Sequence, residues 1–157
     1  MAKVRSASSW DFLLDAPQVH PRARDLFRAV LKELRESGYP VAVVEVYRSP
    51  ERQRQLYAQG RTDAQLRAKG YSEEEIRQAR ALGFTAEKKI VTKLMTAGMH
   101  GQGRAMDVAF FVNGRRTYDV PSLWWEVYGR IVKKHGLIWG GDWKSFPDRP
   151  HCEYRGE

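Results

Sequence analysis

Residues 99–118 read MHGQGRAMDVAFFVNGRRTY, and the second half of that stretch decides the fold. AMDVAFF (105–111) is a short apolar run with β-branched and aromatic members, the composition of a buried strand. Asn113-Gly114 is the dipeptide that two-residue hairpin turns favour, so the chain is expected to return through Arg115 to Tyr118. Side chains alternate along a strand, which places Asp107 on one face with Ala105 and Ala109. Met106, Val108 and Phe110 then point the other way, toward a core. A carboxylate in so apolar a strand needs a partner. Gly98, Gly101 and Gly103 loosen the backbone just upstream, around His100.

Outward from that hairpin, helices alternate with short strands. Pro21 suits a first helical position, and Leu26, Phe27, Val30, Leu31 and Leu34 recur at helical spacing, which predicts a helix from Pro21 to about Ser37, closed by Gly38. VAVVEVY (41–47) is a β-branched run and reads as a buried strand. A helix restarts with Ser49 as N-cap and Pro50 at its first position, running to about Gln59. Residues 60–89 are polar, with a capping box from Ser72 to Glu75, and read as an excursion of one or two short helices. Another helix spans about Ser122 to His135, with Trp124, Val127, Tyr128, Ile131 and Val132 on its apolar face. Ile138-Trp139 and His151 to Tyr154 are short strands joined by the loop GGDWKSFPDRP. The fold class is therefore α+β, a small and mainly antiparallel sheet with packed helices.

The last strand supplies the second half of a site. In HCEY (151–154), His151 and Glu153 share a face and Cys152 takes the other. Neighbouring strands could present Asp107 and His151 side by side, with His100 arriving from the glycine-rich loop. Two imidazoles and a carboxylate form a ligand set that zinc accepts, leaving a position for water. Such a metal both polarises a carbonyl and acidifies water, while a separate carboxylate must move the proton. Asp148, three residues before His151, is the leading candidate for that base and Asp142 the second. Glu153 would orient a ligand. Arg48 could anchor a substrate carboxylate or stabilise a developing oxyanion. Cys152 reads as a small buried hydrophobe, because a fourth protein ligand would close the site. His20 and His135 read as surface or helix-end residues.

Bulk properties set the frame. A chain of 157 residues with 42% hydrophobic content is long enough to bury a core as one domain, expected over 1–157 with no separate wall-binding domain. One cysteine cannot form an internal disulfide, so folding does not depend on an oxidising compartment. No apolar run is long enough to span a bilayer, and MAKVRSASSWDFLLDAPQ lacks the apolar core of a signal peptide. Synthesis in a cytoplasm without a signal peptide is expected. The net charge of +8 favours polyanions, an anionic wall polymer among them. The basic residues are scattered and no nucleic-acid-binding motif is present, so nucleic acid is not an expected partner.

Three ordered segments, YRSPERQ (47–53), MHGQGRAMD (99–107) and DRPHCEY (148–154), resemble the zinc peptidases of the D-alanyl-D-alanine carboxypeptidase and L-alanyl-D-glutamate endopeptidase group. Phage endolysins of the second activity look most similar. The group's H-x-x-G-x-A-x-D pattern is met by His100, Gly103, Ala105 and Asp107, and the resemblance covers about residues 20–155. It implies the hedgehog-like α+β fold of that group, and one zinc ion bound by His100, Asp107 and His151. It assigns the general base to Asp148 and places Arg48, Ser49 and Gln53 along the substrate site. The implied function is hydrolysis of the L-Ala–D-Glu bond in peptidoglycan stems by a monomer, serving host-cell lysis at the wall after release. The alternatives are a D-alanyl-D-alanine carboxypeptidase or dipeptidase, and a non-catalytic zinc-stabilised binding domain. The chain departs from the group's pattern at Gly98, where serine is usual, at Cys152, where an aromatic is common, and in the longer segment 60–89.

Overall fold

The computed structural model describes residues 4–157; the first three residues of the expected domain, with Lys3 of the basic N-terminal stretch, lie outside the described residues. The chain divides into two compact units. One runs to Tyr47 and resumes from Gln102 to Glu157; the other is Arg48–Gly101.

The first unit is the α+β body. Helix α1 (Pro21–Glu36) begins where sequence places it, and its N-cap is His20, whose ring accepts from the Arg22 and Ala23 amides. That capping role satisfies two of the four amide donors that every helix N-terminus leaves open. Phe27, Val30, Leu31 and Leu34 are buried along one face. Strand β1 (Val41–Glu45) pairs antiparallel with β2 (Ala105–Val112), which turns through Asn113 and Gly114 into β3 (Arg115–Thr117). Both turn residues have positive φ, 53° and 81°, as a two-residue hairpin of this twist requires. Helix α6 (Ser122–Lys134) packs on α1, and the short strands β4 (Ile138–Trp139) and β5 (His151–Glu153) complete the sheet in the order β1-β2-β5-β4.

One face of that sheet closes the core. Val41, Val43, Met106, Val108, Phe110 and Cys152 meet Phe27, Val30 and Leu34 of α1 and Trp125, Tyr128 and Val132 of α6. Phe110 meets Trp124 and Trp125 edge-on at 5.3 and 5.0 Å. Each such large side chain contributes about 1.5–3 kcal/mol on burial. A further element, a 3-10 helix at Ala7–Asp15, packs Leu14 into this core and is absent from the sequence reading. Arg35 ties it down, pairing with Asp11 at 2.7 Å while donating to the Val41 carbonyl at 2.9 Å.

The second unit holds α2 (Pro50–Ala58), α3 (Asp63–Ala68), α4 (Glu73–Ala81) and the single turn α5 (Gly98–Gly101). The excursion expected at 60–89 lies inside this unit, which begins earlier, at Arg48. It has a small core of its own: Tyr57, Ala58, Leu66, Tyr71, Ile76 and Ala79. Polar residues brace it from outside. Arg54 pairs with Glu75 at 2.6 Å and lies over the Tyr71 ring, and Arg80 donates to the carbonyls of Ala58, Arg61 and Phe84.

Gly103 shows why the loop before β2 contains glycine. Its φ is +66°, and a Cβ there would fall 2.0 Å from the Gln18 carbonyl oxygen and 2.7 Å from Val19 Cα. The same close approach lets the His20 amide donate to the Gly103 carbonyl at 2.9 Å. Gly103→Ala is expected to destabilise the fold by about 2 kcal/mol or more, read as a lower urea midpoint. An unchanged midpoint would refute this account of the loop.

Candidate metal centre

The site is built on the register between β2 and β5. Asp107 is the cross-strand partner of His151, flanked by Met106 opposite Cys152 and Ala105 opposite Glu153. Directly opposed residues project to the same face and successive ones alternate. Thus Asp107, His151 and Glu153 share one face while Met106 and Cys152 enter the core on the other. Burial pushes the Cys152 thiol up to about 12, and that side chain is fully enclosed in the core. Cys152 is a packing residue, not a ligand.

His151 lies between two carboxylates. Its Nδ1 is 3.1 Å from Asp107 Oδ1, and its Nε2 is 2.8 Å from Glu153 Oε1. Glu153 is 2% exposed and also receives the Arg155 guanidinium. Burial works against charge on the imidazole, but the bonds to Asp107 and Glu153 outweigh it and raise its pKa to about 9. For Glu153, burial raises the pKa, yet hydrogen bonds from His151 and Arg155 bring it below the usual carboxylate value. These shifts mark a position that asks for positive charge. The Trp143 ring packs on the imidazole at 5.0 Å between centroids, a contact that sets the ring plane.

His100 is buried on α5, and its carbonyl accepts from the Arg48 amide at 3.1 Å. His100, Asp107 and His151 each offer one ligand atom, all within 4.8 Å of one another. Two zinc bonds of about 2.0–2.1 Å at a tetrahedral angle hold their donors about 3.3 Å apart. The 3.1 Å between His151 and Asp107 therefore fits zinc with little adjustment. With the Nε2 proton held by Glu153, Nδ1 is the ring atom left to face a metal.

Asp148 is held in the turn that leads into β5. Its amide donates to the Gly140 carbonyl at 2.9 Å, and its own carbonyl accepts from His151 at 3.2 Å. Gly140 permits this approach, because a Cβ there would fall 2.4 Å from the Asp148 carbonyl oxygen and 3.0 Å from His151 Cβ. Asp142, the second candidate base, instead pairs with Lys133 at 3.0 Å, half-exposed. Asp148 has a partner of its own beyond its backbone bonds.

The remaining expected site residues are placed in the second unit. Ser49 uses its hydroxyl to cap α2, accepting from the Arg52 amide at 3.1 Å. Gln53 is 1% exposed: its amide nitrogen donates to Leu94 and Thr92, and its oxygen accepts from Arg48 Nη1 at 2.8 Å. A side chain so enclosed holds the Arg48 guanidinium in place. His20 and His135 stand at helix ends as expected, the first capping α1 and the second, at the C-cap of α6, 3.2 Å from Glu33. The sequence reading missed Tyr118. Although the residue is exposed, its phenol has a raised pKa, from partial burial first and then the negative charge of Asp107.

A His-Asp-His donor set, with a further carboxylate, Asp148, in the turn before its last histidine, is what a metallopeptidase site requires. Comparisons with known proteins agree. A family model described as D-alanyl-D-alanine carboxypeptidase matches residues 93–154. The peptidoglycan L-alanyl-D-glutamate endopeptidase CwlK of Bacillus subtilis is 31% identical over 151 residues, covering 92% of this chain and 80% of that protein. Among solved structures, the L-Ala D-Glu endopeptidase ChiX of Serratia marcescens is similar at a TM-score of 0.54 and 23% identity, over 94% of this chain and 86% of that one. The vancomycin resistance D,D-pentapeptidase VanY, solved in complex with Zn(II), gives 0.55 and 19%, over 88% and 73%. The chain belongs to the D-alanyl-D-alanine carboxypeptidase family of metallopeptidases.

Removing the buried carboxylate behind the ligand should weaken the site without dismantling the sheet. Glu153→Ala is expected to lower zinc affinity about ten- to a hundredfold, measured by chelator competition, with a native circular dichroism spectrum. Unaltered affinity would show that Glu153 does not set the ligating nitrogen.

Proposed function

We propose that this chain is a zinc endopeptidase that hydrolyses the L-Ala–D-Glu bond of peptidoglycan stem peptides, in the service of cell lysis. The observation that carries the reading is the Asp107–His151 pair with Asp148 held in the same turn as its histidine. The choice of bond rests on CwlK, a relative over most of its length whose name states that activity. The substrate-side charge also fits: a basic protein is drawn to an anionic wall. No helix among the described residues is long and apolar enough to cross a membrane. In the lytic reading the enzyme is made in the cytoplasm and meets the wall after release.

The roles follow from chemistry. His100, Asp107 and His151 would hold the metal, which would supply polarisation of the scissile carbonyl and a stronger water nucleophile near neutral pH. Asp148 accepts the proton of the attacking water and delivers it to the leaving nitrogen, the two transfers that make an amine a viable leaving group. Arg48, steadied by Gln53, offers a fixed guanidinium to a substrate carboxylate or to the developing oxyanion. Glu153 holds the His151 ring in its ligating orientation.

Mass spectrometry of purified peptidoglycan digested by the zinc-loaded protein, with a chelated control, tests the choice of bond. Stem peptides with a new N-terminal D-Glu are expected. Loss of a terminal D-Ala would instead assign a carboxypeptidase, and no chelator-sensitive product would remove the enzymatic reading. Asp148→Ala is expected to keep zinc and lose turnover by about a hundredfold or more. Full rate in that variant would overturn the base assignment.

A further inference from the structure

Beside Asp148 lies a cavity of about 280 Å³ lined by Tyr118, Trp125, Pro147, Asp148, Arg149 and Pro150. One wall is aromatic. Trp125 is 1% exposed, and the Tyr118 ring lies nearly parallel to it, 6.5 Å away at 25°. The Arg149 guanidinium stands 5.9 Å from the same indole.

Arg149 is fixed by its backbone and left over by its side chain. Its carbonyl accepts from Trp139 Nε1 at 2.8 Å, which locks the residue between Asp148 and Pro150. Among the described residues its guanidinium forms no ion pair, and its one side-chain hydrogen bond, to the Ser122 hydroxyl, is long at 3.4 Å. A guanidinium with open donors, backed by an aromatic face, is suited to a planar carboxylate.

The position relative to Asp148 says which carboxylate. Asp148 is the group that hands a proton to the leaving nitrogen, so a cavity it lines receives the residue bearing that nitrogen. In the proposed substrate that residue is D-glutamate. Glutamate has two carboxyl groups, and the peptide continues through one of them, so the other is a free anion close to the cleaved bond. Placing that anion near the Asp148 carboxylate costs like-charge repulsion unless a cation stands beside both. We infer that Arg149, over Trp125 and next to Asp148, determines specificity by binding the free carboxylate of the D-glutamyl residue on the leaving side of the scissile bond. This inference rests on the endopeptidase reading above and names what that site selects.

Two synthetic stem peptides that differ only in that carboxyl, free in one and amidated in the other, test it. The wild-type protein is expected to favour the acid in kcat/KM by roughly tenfold to a hundredfold, the range for a hydrogen bond to a charged group. In Arg149→Gln the ratio between the two substrates should fall to near one, and in Arg149→Lys it should stay intermediate. The ratio is internal to each preparation, so a partly unfolded variant does not distort it. A wild-type ratio near one, or an unchanged ratio in Arg149→Gln, overturns the inference. If the wild-type protein cuts neither stem between L-Ala and D-Glu but trims terminal D-Ala, the endopeptidase reading itself fails, and the subsite falls with it.

Discussion

The pairing of β2 with β5 is the constraint on which the rest of the site depends. Side chains alternate with a period of two, so a slip of one residue would exchange the two faces of a strand. In the observed register Met106 and Cys152 enter the core together, and Asp107 and His151 emerge together on the opposite side. Core packing therefore selects the register, and the register places the ligands. The segment before β5 is pinned by the Pro150 carbonyl, which accepts from the Val108 amide at 3.0 Å and the Tyr128 hydroxyl at 3.1 Å. Tyr128 is itself a core residue, so the hydrophobic interior reaches the metal centre through one hydrogen bond.

Electrostatics then sharpens what packing has placed. An imidazole flanked by Asp107 and Glu153 in a buried setting is stable only with a positive charge at that point, whether a proton or a metal. Arg155 offsets part of the acidity from behind, leaving Asp107 and Nδ1 of His151 to meet the cation in front. Asp148 belongs to the same turn as His151, so one set of backbone bonds holds the proposed base and the proposed ligand together. Gly140 makes that turn possible by giving way to its backbone.

Much of this was legible in the sequence where local pattern and tertiary role coincide. The alternation in AMDVAFF, the Asn113-Gly114 turn and the capping box at Ser72 are each local signals, and each matches the structure. The His100, Asp107 and His151 cluster was legible because these residue types fall in two of the three ordered motifs. What was hidden depends on partners distant in sequence. The 3-10 helix at Ala7–Asp15 has no helical periodicity and is held by Arg35, far along the chain. Residues 60–89 read as a polar excursion because the core they share is small and their arginines brace carbonyls, which composition cannot distinguish from solvated charge. Gln53 is tied by hydrogen bonds to Thr92 and Leu94, far along the chain, and the open guanidinium of Arg149 is visible only once Trp125 is beneath it.

The central claim is that this fold presents nitrogen and oxygen donors to one zinc ion while keeping its only thiol in the core. X-ray absorption at the zinc edge, on protein loaded with one equivalent of zinc, tests that claim most directly. The account predicts a shell of nitrogen and oxygen scatterers at about 2.0–2.1 Å with imidazole features and no sulfur. A sulfur scatterer at about 2.3 Å would mean that Cys152 is a ligand, and that the register between β2 and β5 on which the account stands is wrong.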